Sequence, residues 1–307
     1  MAAASMRLRL PSNGPLDLAL SNQPVTEHLG DRGPIAEGGL YRASRIAGTA
    51  AIINARSIAA DVVEFRVTSA EQKALPPKDI VAAFLTRKFS LQLDLPAFYR
   101  FVTRQPALAG LPEFQRGLRP ILKDTLLEAL CLAITDQQVN TTFADELKRR
   151  LLATFGHVYR VQDRDLWLFP SVEELARLEI HALRPLQYSN NKSRYIVELA
   201  RQFAAEPQWE RLSGGDEEIV VRLCQLRGVG PWTAEYGAML GLGLVDTLPA
   251  ADIGLMRVVQ QVYGLAERPT EKQVREIGEH WSPWRGLVTF YLWHQEDSAA
   301  AAAAHNK

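Results

Sequence analysis

The sequence predicts a mostly α-helical protein preceded by a small antiparallel α/β domain. Short β-rich segments bounded by Gly, Ala or Ser cluster in the first third of the chain. From about residue 112 onward, Ser, Thr or Asn caps repeatedly precede apolar stripes at helical spacing. No strand signal of comparable strength interrupts that second region, which reads as all-α.

Taken in order, residues 39–46 (Gly-Leu-Tyr-Arg-Ala-Ser-Arg-Ile), 50–56 and 61–68 read as strands of one antiparallel sheet. Residues 10–38 are rich in turn formers and carry no periodic signal. After Pro76-Pro77, helices are expected over 79–88 and 95–105. Thr125-Leu-Leu-Glu128 reads as a capping box opening a stripe at Leu126, Leu127, Leu130 and Ile134. Asn140 caps a helix with Phe143, Leu147 and Leu151 on its apolar face, and Gly156 ends it. Ser171-Val-Glu-Glu174 and Thr270-Glu-Lys-Gln273 read as further boxes. Ser282-Pro283 sets a cap residue before a proline at the first helical position. The Ala-rich run after Ser298 reads as a disordered tail. The expected organisation is therefore an α/β domain over 1–92, a helical core over 93–297 and a tail over 298–307.

Composition narrows the function classes. The 307 residues are 47% hydrophobic and 23% charged, ordinary for a soluble globular chain that can bury a substantial core. No apolar run approaches the roughly 20 residues of a membrane span. The N-terminal Met-Ala-Ala-Ala-Ser-Met-Arg has no apolar signal-peptide core, so a cytoplasmic location and no membrane are the expectation. Lys+Arg and Asp+Glu are both 35, so net charge alone does not announce a nucleic-acid partner. Cys131 and Cys224 both sit in apolar, helix-like surroundings and read as buried thiols. Two cysteines cannot ligate a four-cysteine iron–sulfur cluster.

One stretch stands apart, Leu226-Arg-Gly-Val-Gly-Pro-Trp-Thr-Ala-Glu-Tyr236. Gly228 and Gly230 bracket Val229 and permit a tight hairpin whose backbone N–H groups, with the first turn of the next helix, grip a phosphate without a basic side chain. On the glycines alone, an ordinary helix–loop–helix corner is the preferred reading. Asp252, 22 residues past Gly230, follows a loop and opens a helix with Leu255, Val258, Val259 and Tyr263. Alone, it reads as an N-cap.

The combination of Leu-x-Gly-Val-Gly-x-x-Thr-Ala with a downstream Asp resembles the helix-hairpin-helix DNA glycosylase superfamily. Within that superfamily, the chain is similar to the 3-methyladenine DNA glycosylase II branch. Ile134-Thr-Asp-Gln-Gln-Val-Asn140, Phe169-Pro-Ser-Val-Glu-Glu-Leu-Ala176, Asn191-Lys-Ser-Arg-Tyr-Ile196 and Trp281-Ser-Pro-Trp-Arg285 extend the likeness over residues 112–295. It implies a two-lobed helical glycosylase core behind the α/β domain. It also implies a monomer acting on damaged double-stranded DNA.

The resemblance assigns roles residue by residue. Asp252 takes the place of the catalytic carboxylate, which stabilises the positive charge that grows on the deoxyribose as the N-glycosidic bond breaks. Trp232, Tyr236 and Trp293 take the place of an aromatic base pocket, suited to cationic N-alkylated purines such as 3-methyladenine and 7-methylguanine. Each ring taken alone reads first as core packing, as Trp281 and Trp284 do. Gln138 matches the wedge that fills the gap left by a flipped nucleotide, with Gln137 beside it. A helix-terminus hydrogen-bond network is the other reading of that pair. Gly228, Val229 and Gly230 would grip DNA, and the carbonyls of Cys224, Leu226 and Val229 could hold a Na+ or K+ ion. No other cofactor is implied. Bifunctional relatives carry a lysine nucleophile two residues after the second glycine; Trp232 stands there, which implies base release without strand cleavage. Asn140 and Ile253 depart from the pattern, where relatives carry a serine and a tyrosine. A non-catalytic DNA-binding protein, or a glycosylase for another damaged purine, remains the alternative.

Overall fold

The computed structural model describes residues 4–22, 39–71, 73–161 and 164–305, with side chains in the last helix as far as Gln295. The turn-rich stretch noted at 10–38 lies outside the described residues beyond Asn22.

The chain opens with β1 (Ser5–Pro11) and a single helical turn, α1 (Leu18–Ser21). Three more strands follow: β2 (Leu40–Ile46), β3 (Thr49–Ala59) and β4 (Val62–Ser69). They form an antiparallel sheet in the order β1-β4-β3-β2, in register from Met6 opposite Val67 to Ile46 opposite Thr49. The sheet matches the expected strands, with β1 added at its edge. β1 alternates apolar Met6, Leu8 and Leu10 with exposed Arg7 and Arg9, and as an edge strand it buries only Leu8 fully. Helix α2 (Lys78–Lys88) covers the sheet, packing Val81, Leu85 and Phe89 against Leu40, Ile53, Phe65 and Val67.

The helical core then runs through α3 (Leu95–Val102), α4 (Leu111–Phe114), α5 (Leu126–Asp136) and α6 (Thr141–Phe155). A hairpin, β5 (His157–Val161) and β6 (Arg164–Leu168), precedes α7 (Val172–Ala176), α8 (Asn190–Ala205) and α9 (Asp216–Leu223). The last helices are α10 (Pro231–Gly237), α11 (Ile253–Val262), α12 (Glu271–Glu279) and α13 (Arg285–His305). Helix α5 is buried on nearly every face and forms the axis of one lobe, with Leu147, Leu151, Ile196, Phe203 and Leu223 around it. A second lobe gathers Phe98 and Val102 against Leu255, Val259, Trp281, Val288 and Tyr291. Helix α10 belongs to both: Ala234 packs into the first lobe and Tyr236 into the second. It lies close on α5, since a Cβ at Gly237 would stand 2.4 Å from Leu130 Cδ2. The seam between the lobes is thus lined by α10.

Several local expectations are corrected. The β5–β6 hairpin interrupts the region read as all-α; its Leu166 and Leu168 pack on Ala43 and Ala50, a long-range contact that a five-residue strand cannot announce. Thr125 accepts from the Glu128 N–H, but the Glu128 carboxylate turns to the Asp124 N–H, so only half of that box forms. The boxes at Ser171 and Thr270 are complete. Pro283 lies in the turn before α13, whose first residue is Arg285. That helix continues through the Ala-rich run to His305 rather than ending in a disordered tail at 298, in keeping with alanine's high helix propensity. Cys131 is buried and Cys224 is exposed, because Cys224 sits one position past Leu223 and rotates off the stripe of Ile219, Leu223 and Leu226. No helix among the described residues is long and apolar enough to cross a membrane.

Candidate active site at the lobe seam

Helix α9 stops at Leu223 and the chain turns back through Gly228-Val-Gly230 into α10. The Val229 N–H donates to the Leu226 carbonyl at 3.1 Å, closing the turn. Gly228 adopts φ +82°, and a Cβ there would meet Tyr195 Cγ at 2.4 Å, so glycine is required twice over. Gly230 caps α10 in extended backbone, and a Cβ there would meet nothing within 4 Å. Pro231 at the first helical position completes the start. Gln137 Nε2 donates to the Gly228 carbonyl at 3.0 Å and to Thr233 Oγ1 at 2.9 Å. Its amide nitrogen therefore straps the hairpin to the end of α5. Gln138, the adjacent residue, is exposed and lines the cleft, with its backbone in the left-handed region at φ +53°.

Hairpin, α5 end and α8 start enclose a cleft of about 410 Å³, lined by Gln138, Ser189, Lys192, Tyr195, Gly228 and Gly230 among others. Lys192 contributes a cation to it; burial pulls its ammonium below the usual lysine range, and it donates to the Thr135 carbonyl at 2.8 Å. Arg227 on the shoulder is paired with Glu198 at 3.1 Å.

Asp252 caps α11: its Oδ1 accepts from the Leu255 N–H at 2.7 Å. The same carboxylate also accepts from two indoles. Trp293 Nε1 donates to Oδ1 and Trp232 Nε1 to Oδ2, each at 3.0 Å. Tyr236 lies between the two rings, 5.4 Å from Trp232 and 6.0 Å from Trp293 by centroid. Carboxylate and three aromatic rings thus converge from α10, α11 and α13. A helix cap needs one backbone N–H; the further bonds from 20 and 41 residues away fix the carboxylate's orientation beyond what capping requires. Ile253 beside it is exposed, while Trp281 is fully buried with its Nε1 on Tyr263 Oη at 2.8 Å, and Trp284 packs on Phe98.

The family model for the HhH-GPD superfamily of base-excision DNA repair proteins matches residues 131–283. The DNA-3-methyladenine glycosylase of Bacillus subtilis is 32% identical over 218 residues, which cover 70% of this chain and 72% of the relative. The chain belongs to the HhH-GPD superfamily. DNA-3-methyladenine glycosylase 2 of Escherichia coli is 28% identical over 70% of this chain and 73% of its own length. Among solved structures, the 3-methyladenine DNA glycosylase of Archaeoglobus fulgidus superposes with a TM-score of 0.80 at 24% identity, covering 94% of this chain and 98% of its own. That likeness extends the shared fold across the N-terminal sheet as well as the superfamily core.

The structure brings Asp252, Trp232, Tyr236 and Trp293 together at the seam, and Gln137, Gln138 and the hairpin together beside the cleft. Sequence reasoning named Trp232 and Trp293 as pocket rings but missed that their indoles donate to Asp252, and it missed the cleft lysine. It also missed a buried carboxylate, Glu235, on the same helix as Trp232 and Tyr236. Partners this far apart leave no spacing signal in the chain.

Proposed function

We propose that this protein is a monofunctional DNA glycosylase that hydrolyses the N-glycosidic bond of alkylated purines in double-stranded DNA, acting as a monomer in the cytoplasm. The observation that carries the reading is the fixed carboxylate of Asp252 at the edge of three aromatic rings. The glycosylase names of the B. subtilis and E. coli relatives support the same reaction class.

Each step of this reading has a residue to serve it. Gly228-Val-Gly230 and the first turn of α10 present N–H groups to a backbone phosphate. Gln138 fills the space vacated by the extruded nucleotide. A purine alkylated at N3 or N7 carries positive charge, which the faces of Trp232, Tyr236 and Trp293 attract. Such a base is already a good leaving group. Asp252 stabilises the cationic sugar as the bond lengthens and orients the attacking water. The tryptophan at 232, where bifunctional relatives carry lysine, offers no amine for a Schiff base, so the abasic strand is left uncut.

The same reading includes a monovalent cation at the hairpin. The Leu226 carbonyl uses one lone pair on Val229 and keeps the other, and with the carbonyls of Cys224 and Val229 it would bind Na+ or K+ and neutralise a phosphate there. No iron–sulfur cluster belongs to this reading.

Purified protein is expected to release 3-methyladenine or 7-methylguanine from methylated duplex DNA, leaving alkali-sensitive sites. Asp252→Asn is expected to abolish release while the fold persists at a cost of about 1–2 kcal/mol, because asparagine keeps the helix cap but sets its NH2 group against the Trp232 indole N–H. Release surviving in that variant would show that Asp252 serves only as a cap. Strand nicking without alkali would contradict the monofunctional reading.

A further inference from the structure

Glu235 sits on α10, three residues after Trp232 and one before Tyr236, and only 6% of it is exposed. Its Oε1 accepts from Arg275 Nη1 of α12 at 2.9 Å; its Oε2 has no hydrogen-bond partner among the described residues. The same Arg275 Nη1 also donates to the Leu248 carbonyl at 3.3 Å, and Thr247 Oγ1 donates to the Glu235 carbonyl at 3.4 Å. Leu248 is wedged against α12, where a Cβ at Gly278 would stand 2.4 Å from its Cδ2. Four residues later the loop delivers Asp252. The far shoulder of this loop is held separately: Arg285 grips both oxygens of Asp246 at 3.0 and 2.9 Å.

A buried, half-partnered carboxylate is costly where an apolar side chain would pack better. Fold stability therefore does not explain it, whereas its connections do. We propose that Glu235 is a positioning residue for the reaction: through Arg275 it locks the Thr247–Asp252 loop, and so the Asp252 carboxylate, against the helix that carries Trp232 and Tyr236. This rests on the glycosylase reading above.

The charged and titratable groups facing Glu235 are Arg275 and Glu271 of α12, Arg285 at the head of α13 and the Cys224 thiol after α9. Burial pushes the Glu235 carboxyl up to about 7 against the opposing pull of Arg275. Arg275 keeps a second carboxylate, Glu271 at 2.9 Å, so a protonated Glu235 releases the loop without freeing the guanidinium from α12.

The test is the single-turnover rate of base release from a methylated duplex between pH 5.5 and 8.5, with the full chain and Glu235→Gln. A group titrating near 7 makes the wild-type rate fall about tenfold from pH 8 to pH 6. Glu235→Gln is expected to be about tenfold slower at pH 8 and flat over that range, with duplex Kd within about twofold. It is also expected to melt at a higher temperature at pH 8, since it buries no charge; slower yet more stable is a signature that lost packing does not produce. Amide exchange of Asp252 and Leu255 should quicken in the variant, while that of α5 stays unchanged. If Glu235→Gln does not fold, Arg275→Gln, at a side chain 40% exposed, carries the same expectation of a tenfold rate loss with duplex affinity kept. A Gln variant with wild-type rate, pH profile and amide protection overturns the proposal. Failure of the wild type to release any base would overturn the glycosylase reading instead, and the amide exchange would still report on the loop.

Discussion

At the residue scale, the two hairpin glycines differ in what they do. Gly228 needs its left-handed backbone and its missing side chain, because Tyr195 occupies the space; Gly230 has ordinary φ and open surroundings. Gly228→Ala should therefore destabilise the fold by about 2–4 kcal/mol, from the φ penalty plus the clash. Gly230→Ala should stay within about 0.5 kcal/mol of wild type in thermal melts. On the proposed function it should still weaken duplex binding, because its methyl would crowd the α10 N–H groups offered to a phosphate. Equal stability losses in the two variants would show that the hairpin is not built as described. The glycine spacing itself was legible in the sequence, since a tight turn is a property of adjacent residues. Glu235 was not, because its partner Arg275 lies 40 residues away on another helix.

At the element scale, local signals set most helix starts, and tertiary contacts completed them. Ser171 and Thr270 form their boxes from residues three apart, as read. Helix α5 instead takes its remaining cap from a distance: Glu210 accepts from the N–H groups of Leu126 and Leu127 at 2.7 and 3.1 Å. Arg87 faces this carboxylate, whose ionisation is opposed by burial. Glu210→Ala is expected to cost about 2 kcal/mol in denaturant unfolding, because two buried N–H donors at the head of the central helix lose their acceptor. A loss no larger than that of a surface substitution would assign the cap to Thr125 alone. The β5–β6 hairpin teaches the same lesson from the other side: its strands are held by the N-terminal sheet, so their own residues carry only a weak signal.

At the scale of the whole molecule, the N-terminal sheet is fastened to the helical core by buried charge. Arg119 donates to the carbonyls of Asn13, Gly14, Pro15, Ser90 and Leu93 over 2.6–3.3 Å, and Lys88 pairs with Asp124 at 2.6 Å. Arg119→Ala should lower stability by about 3–5 kcal/mol and expose the first strand to limited proteolysis, since it strands several carbonyl acceptors at once. Stability should also depend on pH through Glu235. Its carboxyl is raised in the fold to about 7 from an ordinary 4.5, mainly by burial, so the folded state holds a proton that the unfolded chain gives up. That contribution is complete below about pH 4.5 and is lost as pH rises to about 7, on the order of 3 kcal/mol. Unfolding curves of Glu235→Gln should lack this slope, and a wild-type slope of the same size in the variant would place its origin elsewhere. The sequence by itself determined the helical class, the sheet in front of it and the hairpin, because caps, turns and periodicity act between neighbours in the chain, whereas Asp252, Trp232, Tyr236 and Trp293 were singled out only by the resemblance to the glycosylase superfamily. Only the tertiary structure decided that two indoles hold that carboxylate, that Gln137 straps the hairpin and that a buried glutamate braces the loop. Those contacts join residues 20 to 96 positions apart, and only packing the two lobes against α10 brings them within hydrogen-bond reach.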